Sequence, residues 1–542
     1  MKKIIILAGF FFPLTASLCQ SVVNLTKHDT IQVLPEEKWF GAAVNEGNNM
    51  PFKQGYCLDL FGDGKGNQAA PLLLSSKGRY IWSELPFSFC FVKNTLIISG
   101  IRDSLIVDNA GSTLAEAYKI ASRRFFPASG KMPDSLLFSR PQYNTWIELK
   151  YNQNQHDILQ YAHDIVKNGF PPGILMIDDN WFPYYGSFKF RKDRFEDPAL
   201  MISELHKLGF KVMLWVSPFI SPDSEVFREL KEKKYLLLCN TGNSTPIEPD
   251  SLKPIIIEWW NGYSATLDFT NPGAVKWYQQ QLAAMMADYG VDGYKFDAGD
   301  PEFYTNEKIV FHQKATPNQL TQLWGILGMD YPLNEYRSMW KNGNQPLAQR
   351  LRDKDHSWPD LQKIIPHITI GGLLGYGFSC PDMIGGGEIS SFDDSKRIDH
   401  KLIVRSAQCH ALMPMMQFSV APWKILDNKE LAAIKKAINT RQNFMPYIKA
   451  LAALNATTGE PIVRNMEYEF PNEGFTECQD QFMLGDSIMV TPVLNNIDSR
   501  VVLFPKGKWR SDDGSVILGP TERRIQVPID RLPWFRLIQR IN

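Results

Sequence analysis

Carboxylates dominate the places from which this chain can do chemistry. Asp178 and Asp179, Asp297, Asp353 and Asp382 stand at the ends of short strand-like runs, and Trp215 and Arg337 hold equivalent positions. Two carboxylates flanking a sugar can cleave a glycosidic bond. One attacks the anomeric carbon while the other protonates the leaving oxygen. A strand-end Asp taken singly reads equally well as a helix cap or turn residue. Recurrence at successive strand ends is what sets these apart. The sequence offers no Ser/His/Asp set, no H-E-x-x-H zinc motif and no Gly-rich phosphate fingerprint.

The elements that must position these residues follow from periodicity. From residue 141 strands alternate with helices: Thr145–Lys150 as strand, Gln155–Asn168 as helix, Gly173–Asp179 as strand, Ala199–Leu208 as helix and Lys211–Ser217 as strand. After an irregular insertion at 221–262 come a helix over Gly273–Tyr289 and a strand over Gly293–Asp297, with further units through Arg337, Asp353, Asp382 and Gln417. Such repetition predicts a parallel (β/α)8 TIM barrel over 141–450, with reactive side chains at the C-terminal strand ends. Residues 20–140 are short apolar runs split by turn signals, which predicts an N-terminal β-sandwich. The Gly62–Asn67 stretch lacks a following helix and a Lys-Ser/Thr ending, so it reads as a turn. Short strands such as Asp486–Val490 and Arg500–Phe504 predict a second β-sandwich over 451–542.

Lys+Arg and Asp+Glu both number 58, a balance that argues against nucleic acid as partner. Fourteen Trp, 19 Tyr and 33 Phe suit a sugar ligand as well as a core. Residues 1–19 read as an export signal, with Lys2 and Lys3 before the apolar run Ile4–Leu14 and the small residues Thr15–Ser17. Cleavage after Cys19 predicts a periplasmic or secreted protein. Acylation of Cys19 is the competing reading, and Leu18 fits it poorly. No later run is apolar enough to span a membrane. Cys57, Cys90, Cys239, Cys380, Cys409 and Cys478 are scattered without zinc-ligand spacing and read foremost as buried free thiols, with disulfides open to an exported protein but not pairable from sequence. No metal or cofactor is expected.

Gly293-Tyr-Lys-Phe-Asp-Ala-Gly-Asp300 resembles the nucleophile strand of glycoside hydrolase family 31. Arg337 and Asp353, sixteen residues apart, resemble that family's substrate-binding Arg and acid/base Asp. Leu267-Asp-Phe-Thr-Asn-Pro272, the Pro71–Gly78 run and Asp480-Gln-Phe-Met-Leu-Gly-Asp486 extend the likeness over nearly the whole chain. Ile177-Asp-Asp179, Trp259-Trp-Asn-Gly262, Pro381-Asp-Met-Ile-Gly-Gly386 and Met416-Gln-Phe-Ser419 are similar to the branch of myogenesis-regulating glycosidase and bacterial α-galactosidases. Pro381 stands where many members carry His, and Asp300 where Glu is usual.

The resemblance implies a retaining, exo-acting α-glycosidase, foremost an α-galactosidase acting on an oligosaccharide or glycoside. An α-glucosidase or α-xylosidase of the same family is the alternative, and a catalytically silent sugar-binding protein on the same scaffold is the second. Asp297 is then the nucleophile, kept ionised by Lys295 on the same strand face, which also donates to sugar hydroxyls as part of the substrate-binding set. Asp353 is the acid/base, with Asp355 as competitor. Arg337 serves the 2-hydroxyl, unless it merely pairs with Glu335. Asp178 or Asp179 grips the far hydroxyls, Asp382 joins the substrate-binding set, and Trp181, Trp215, Trp260 and Phe296 are candidate ring platforms. Retention also implies carboxyl groups ~5–5.5 Å apart.

Overall fold

The computed structural model describes residues 28–242, 251–393 and 398–541, so the expected export signal and Cys19 lie outside the described residues. Eight short strands build the barrel: β1 Gln142–Asn144, β2 Ile174–Ile177, β3 Lys211–Val216, β4 Gly293–Phe296, β5 Leu333–Tyr336, β6 Gln349–Arg350, β7 Ser379–Cys380 and β8 Gln417–Phe418. They lie in the order 7-6-5-4-3-2-1-8, and every neighbouring pair is parallel. A parallel bridge between Met383 and Gln417 nearly closes the ring. β2 is buried along its whole length, as expected of a strand covered on both faces.

Local chemistry explains the helix boundaries. Asn154 caps Gln155–Lys167 by accepting from Asp157 N. Asn271 caps Pro272–Tyr289, which has proline in its first turn and ends at Gly290 in the left-handed conformation. Thr145–Lys150 is not the expected strand. The strand stops at Asn144, whose Oδ1 accepts from Trp146 N at 2.8 Å, and Trp146–Leu149 forms one helical turn. In so short a run the spacing of Trp146, Ile147 and Leu149 suits either state, and the side-chain turn at Asn144 accompanies the helical one.

The N-terminal domain is a sandwich of two antiparallel sheets. One orders His28–Gln32, Thr95–Ser99, Ser88–Val92 and Cys57–Asp59. The other orders Trp39–Ala43, Gln68–Ser75, Arg79–Ser83 and Leu105–Asn109. Cys57 and Cys90 face each other in register and form a disulfide, which corrects their reading as free thiols. Cys239, Cys380, Cys409 and Cys478 are free, with only Cys380 and Cys409 fully buried.

This sandwich is stitched to the barrel mouth. Met339–Trp340 adds a parallel strand beside Gln68 and Ala69. The Gln68 amide donates to the carbonyls of Arg337 (2.7 Å) and Arg350 (2.8 Å), and Asn67 donates to the same two oxygens. A 31-residue helix, Asn428–Thr458, opens on an Asp427/Glu430 capping box and runs through residue 450 into the C-terminal domain. There a six-stranded antiparallel sheet, dominated by the hairpin Ser499–Ser511/Val516–Gln526, packs its own core around Trp509 and Phe535.

Candidate active site

The C-terminal ends of the barrel strands open on a cavity of about 650 Å³. Asp178, Asp179, Trp215, Trp260, Lys295, Asp297, Arg337 and Asp353 all line it. The backbone helps aim them. Asn180, Ala298 and Asp382 have φ of 78°, 57° and 78°, so the chain turns sharply just past β2, β4 and β7. A left-handed alanine is costly and is tolerated where surrounding structure enforces it. Here Ala298 N donates to Asp297 Oδ1 at 2.9 Å.

Asp297 is buried and well supplied with donors. Arg337 Nε reaches its Oδ1 at 2.9 Å and Trp215 Nε1 its Oδ2 at 3.0 Å. Burial pushes its carboxyl up, but the Arg337, Lys295 and Arg350 charges and the Trp215 bond outweigh that and hold it well below the usual range. Lys295 acts on Asp297 through its charge, while its Nζ bonds Asp178 Oδ2 at 2.6 Å.

Arg337 does not pair with Glu335. Its two terminal nitrogens grip Asp300 at 2.9 and 2.6 Å, while Nη1 also donates to Gly66 O at 2.7 Å. Desolvation works against its charge, and Asp300 and Asp297 more than compensate, so it stays protonated. Replacing Arg337 with Ala strands two buried carboxylates. Such a break typically costs about 3–5 kcal/mol. R337A is therefore expected to show a lower thermal midpoint as well as lost activity, and an unchanged midpoint would contradict the pairing.

Asp353 is more exposed than Asp297, its side chain 31% exposed against 12%, and is bonded to Arg350 Nη1. The same nitrogen reaches Asp382 Oδ1 at 2.8 Å, and Arg350 Nε lies 3.3 Å from Glu335 Oε1. Glu335, expected beside Arg337, thus belongs to Arg350. Gly387 leaves the room for this arrangement, since a Cβ there would fall 2.9 Å from both Asp353 Oδ1 and Asp382 Oδ1. Asp382 is fully buried and does not line the cavity. Its oxygens are taken by Arg350 and by Lys354 N, so it braces Asp353 from behind. Burial pushes Asp382 up to about 7, Arg350 opposing. Asp355 is also absent from the lining, with its Oδ1 near Ser391.

The aromatic candidates divide. Trp215 and the half-exposed Trp260 line the cavity, and Arg337 lies 5.4 Å from the Trp260 ring centre. Trp181 and Phe296 are wholly buried. The first donates to Trp215 O and the second stacks on Tyr336.

Sequence reasoning missed the contribution of the N-terminal domain. Asn45, Asp63, Lys65 and Gly66 line the cavity, three of them from the stretch read as a plain turn. Gly64 and Gly66 each donate a backbone N–H to Glu302 Oε1 at 3.2 Å, and Gly66, at φ 65°, turns its carbonyl to Arg337. Closely spaced glycines between polar residues were the available signal. Tyr151, Glu302 and Arg352 also stand in the wall, beside Trp146, Asp300, Phe303, Glu388 and Ile389, and no metal-ligating cluster occurs among the described residues.

Comparison with known proteins identifies the family. The glycosyl hydrolases family 31 TIM-barrel domain matches residues 140–451, and the family's C-terminal domain matches 459–536. The chain is 32% identical to myogenesis-regulating glycosidase of Mus musculus over 75% of its own length and 57% of the relative's. It is 27% identical to alpha-xylosidase XylQ of Lactiplantibacillus pentosus over 70% and 50%, respectively. The chain thus spans little more than half the length of these relatives. Flavobacterium johnsoniae GH31 dextranase complexed with glucose superposes with a TM-score of 0.82 at 19% identity, over 94% of this chain and 66% of that one. With the barrel-domain match spanning more than half of the residues, the chain belongs to glycosyl hydrolase family 31.

Proposed function

We propose that this protein is a retaining, exo-acting α-glycosidase and that its preferred sugar is α-galactose. The observation that carries the reading is the unequal environment of two carboxylates in one cavity. Asp297 is buried among cations and held ionised, as a nucleophile must be. Asp353 is partly exposed just past β6, the next strand but one from β4, where a leaving group can take its proton. In this mechanism Asp297 attacks the anomeric carbon and Asp353 protonates the departing oxygen. Water, deprotonated by Asp353, then releases the sugar. Arg337 steadies Asp297 throughout and donates to the sugar's 2-hydroxyl. The Asp178–Lys295 pair and Asp179 close the floor, which favours a chain end over a chain interior.

Galactose is supported by the motifs shared with the α-galactosidase-containing branch and by Pro381, which removes a His that α-glucosidases use. A second reading, α-xylosidase or α-glucosidase, draws on relatives bearing those names. A panel of nitrophenyl α-glycosides separates them. We expect the α-galactoside to be cleaved fastest, with the α-anomer as first product by proton NMR. Exclusive cleavage of the α-glucoside or α-xyloside would refute the sugar assignment, and a β-anomer the mechanism. Export to the periplasm or beyond completes the proposal, supported by the Cys57–Cys90 disulfide, a bond suited to an oxidising compartment.

A further inference from the structure

Within the 221–262 insertion and just beyond it, Ile257–Trp259 and Gly262–Thr266 form an antiparallel hairpin whose two-residue tip is Trp260-Asn261. The hairpin is firmly seated. Thr266 and Ala265 pair with Phe219 and Ile220, and Trp259 packs against Phe219 at 4.3 Å and Tyr185 at 4.8 Å between ring centres. The two tip residues serve different groups, Trp260 lying against Arg337 and Asn261 bonded to Asp179.

Every polar group of Asn261 has a defined task. Its Nδ2 donates to Asp179 Oδ2 at 2.7 Å and to the Tyr185 hydroxyl at 2.8 Å, and its Oδ1 accepts from Tyr151 OH at 3.0 Å. Tyr185 OH donates to the same Asp179 Oδ2 at 3.0 Å. One oxygen of Asp179 is therefore doubly anchored. The other, Oδ1, is buried at the cavity wall with no hydrogen-bond partner among the described residues. An unmet buried acceptor is costly, and a ligand hydroxyl removes that cost on binding. Asp178 has no such spare oxygen, since Lys295 and Asp179 N occupy both of its own.

We infer that Asn261 and Tyr185 are positioning residues that hold Asp179 so that its Oδ1 accepts from a hydroxyl at the non-anomeric end of the bound sugar, making the hairpin tip a determinant of sugar specificity. This rests on the α-glycosidase reading and adds to it the device that selects the sugar.

The test crosses protein variants with substrate hydroxyls. The best nitrophenyl α-glycoside of the panel is compared with its 4-deoxy and 6-deoxy analogues on the wild type, Asn261→Ala and Tyr185→Phe. Removing the recognised hydroxyl is expected to cost the wild type roughly 10- to 100-fold in kcat/KM, the range for leaving a buried acceptor unmet. In Asn261→Ala the parent substrate should weaken by a similar factor, chiefly through KM, while the deoxy penalty shrinks below about 3-fold. Tyr185→Phe keeps the ring packing and should show the same pattern at smaller size, which preserves the test if Asn261→Ala does not fold. A deoxy penalty undiminished in both variants, whatever their overall rate, would overturn the inference. If the wild type hydrolyses no α-glycoside, calorimetric binding of the methyl α-glycosides runs the same cycle without turnover. A retained penalty there overturns the inference alone, and absence of any binding overturns both readings.

Discussion

Asp297→Ala is expected to lower kcat by roughly 10⁴- to 10⁶-fold, the scale seen when a nucleophile is removed, and to leave a folded protein. The fold should survive because Arg337 keeps its two bonds to Asp300 when Asp297 is gone. The rate should not, because Trp215, Arg337 and Ala298 N all converge on a carboxylate that no longer exists. The space left by the side chain admits a small anion on the face opposite the leaving group. Added azide is therefore expected to restore measurable turnover of an α-glycosyl fluoride and to yield the β-glycosyl azide. An α-azide, or activity within tenfold of wild type, would mean that another group attacks the sugar.

Asp353→Ala should behave differently, and the difference is diagnostic. General acid catalysis typically contributes 10²–10⁴-fold, so alkyl glycosides should lose about that much, while a dinitrophenyl leaving group, which needs no proton, should lose far less in the first step. Azide should then capture the glycosyl-enzyme and give the α-glycosyl azide, the anomer opposite to that from Asp297→Ala. Arg350 retains Asp382 and Glu335 in this variant, so the barrel end stays braced. Equal losses on both leaving groups would remove Asp353 from the proton-transfer role.

The strand-end residues were legible in the sequence because a parallel barrel strand announces itself. Gly293–Phe296 is a short run ending in Asp297, and the barrel architecture dictates where that end points. Chemical type alone could not say which strand-end carboxylate faces the cavity. Asp382 sits at the end of β7 yet turns inward at φ 78° to meet Arg350, a choice made by a backbone dihedral and a buried counter-ion. Arg350 escaped notice for the same reason, since nothing in its neighbourhood along the chain marks a residue that serves three carboxylates. Asn261 and the Gly62–Asn67 turn come from elements outside the barrel's repeat. Gly66 meets Arg337 across 271 positions of sequence, and periodicity carries no information about such a meeting. The Thr145–Lys150 strand failed at a shorter range, where an Asn144 side-chain turn stands against an ambiguous apolar pattern.

The most direct test of the central claim is covalent trapping of the nucleophile. Incubation with 5-fluoro-α-D-galactosyl fluoride, followed by peptide mapping of the inactivated protein, should place a single fluorogalactosyl ester on Asp297, within the peptide that carries Lys295 and Asp300. A label on any other carboxylate, or full activity after exposure to the galactosyl, glucosyl and xylosyl reagents alike, would contradict it.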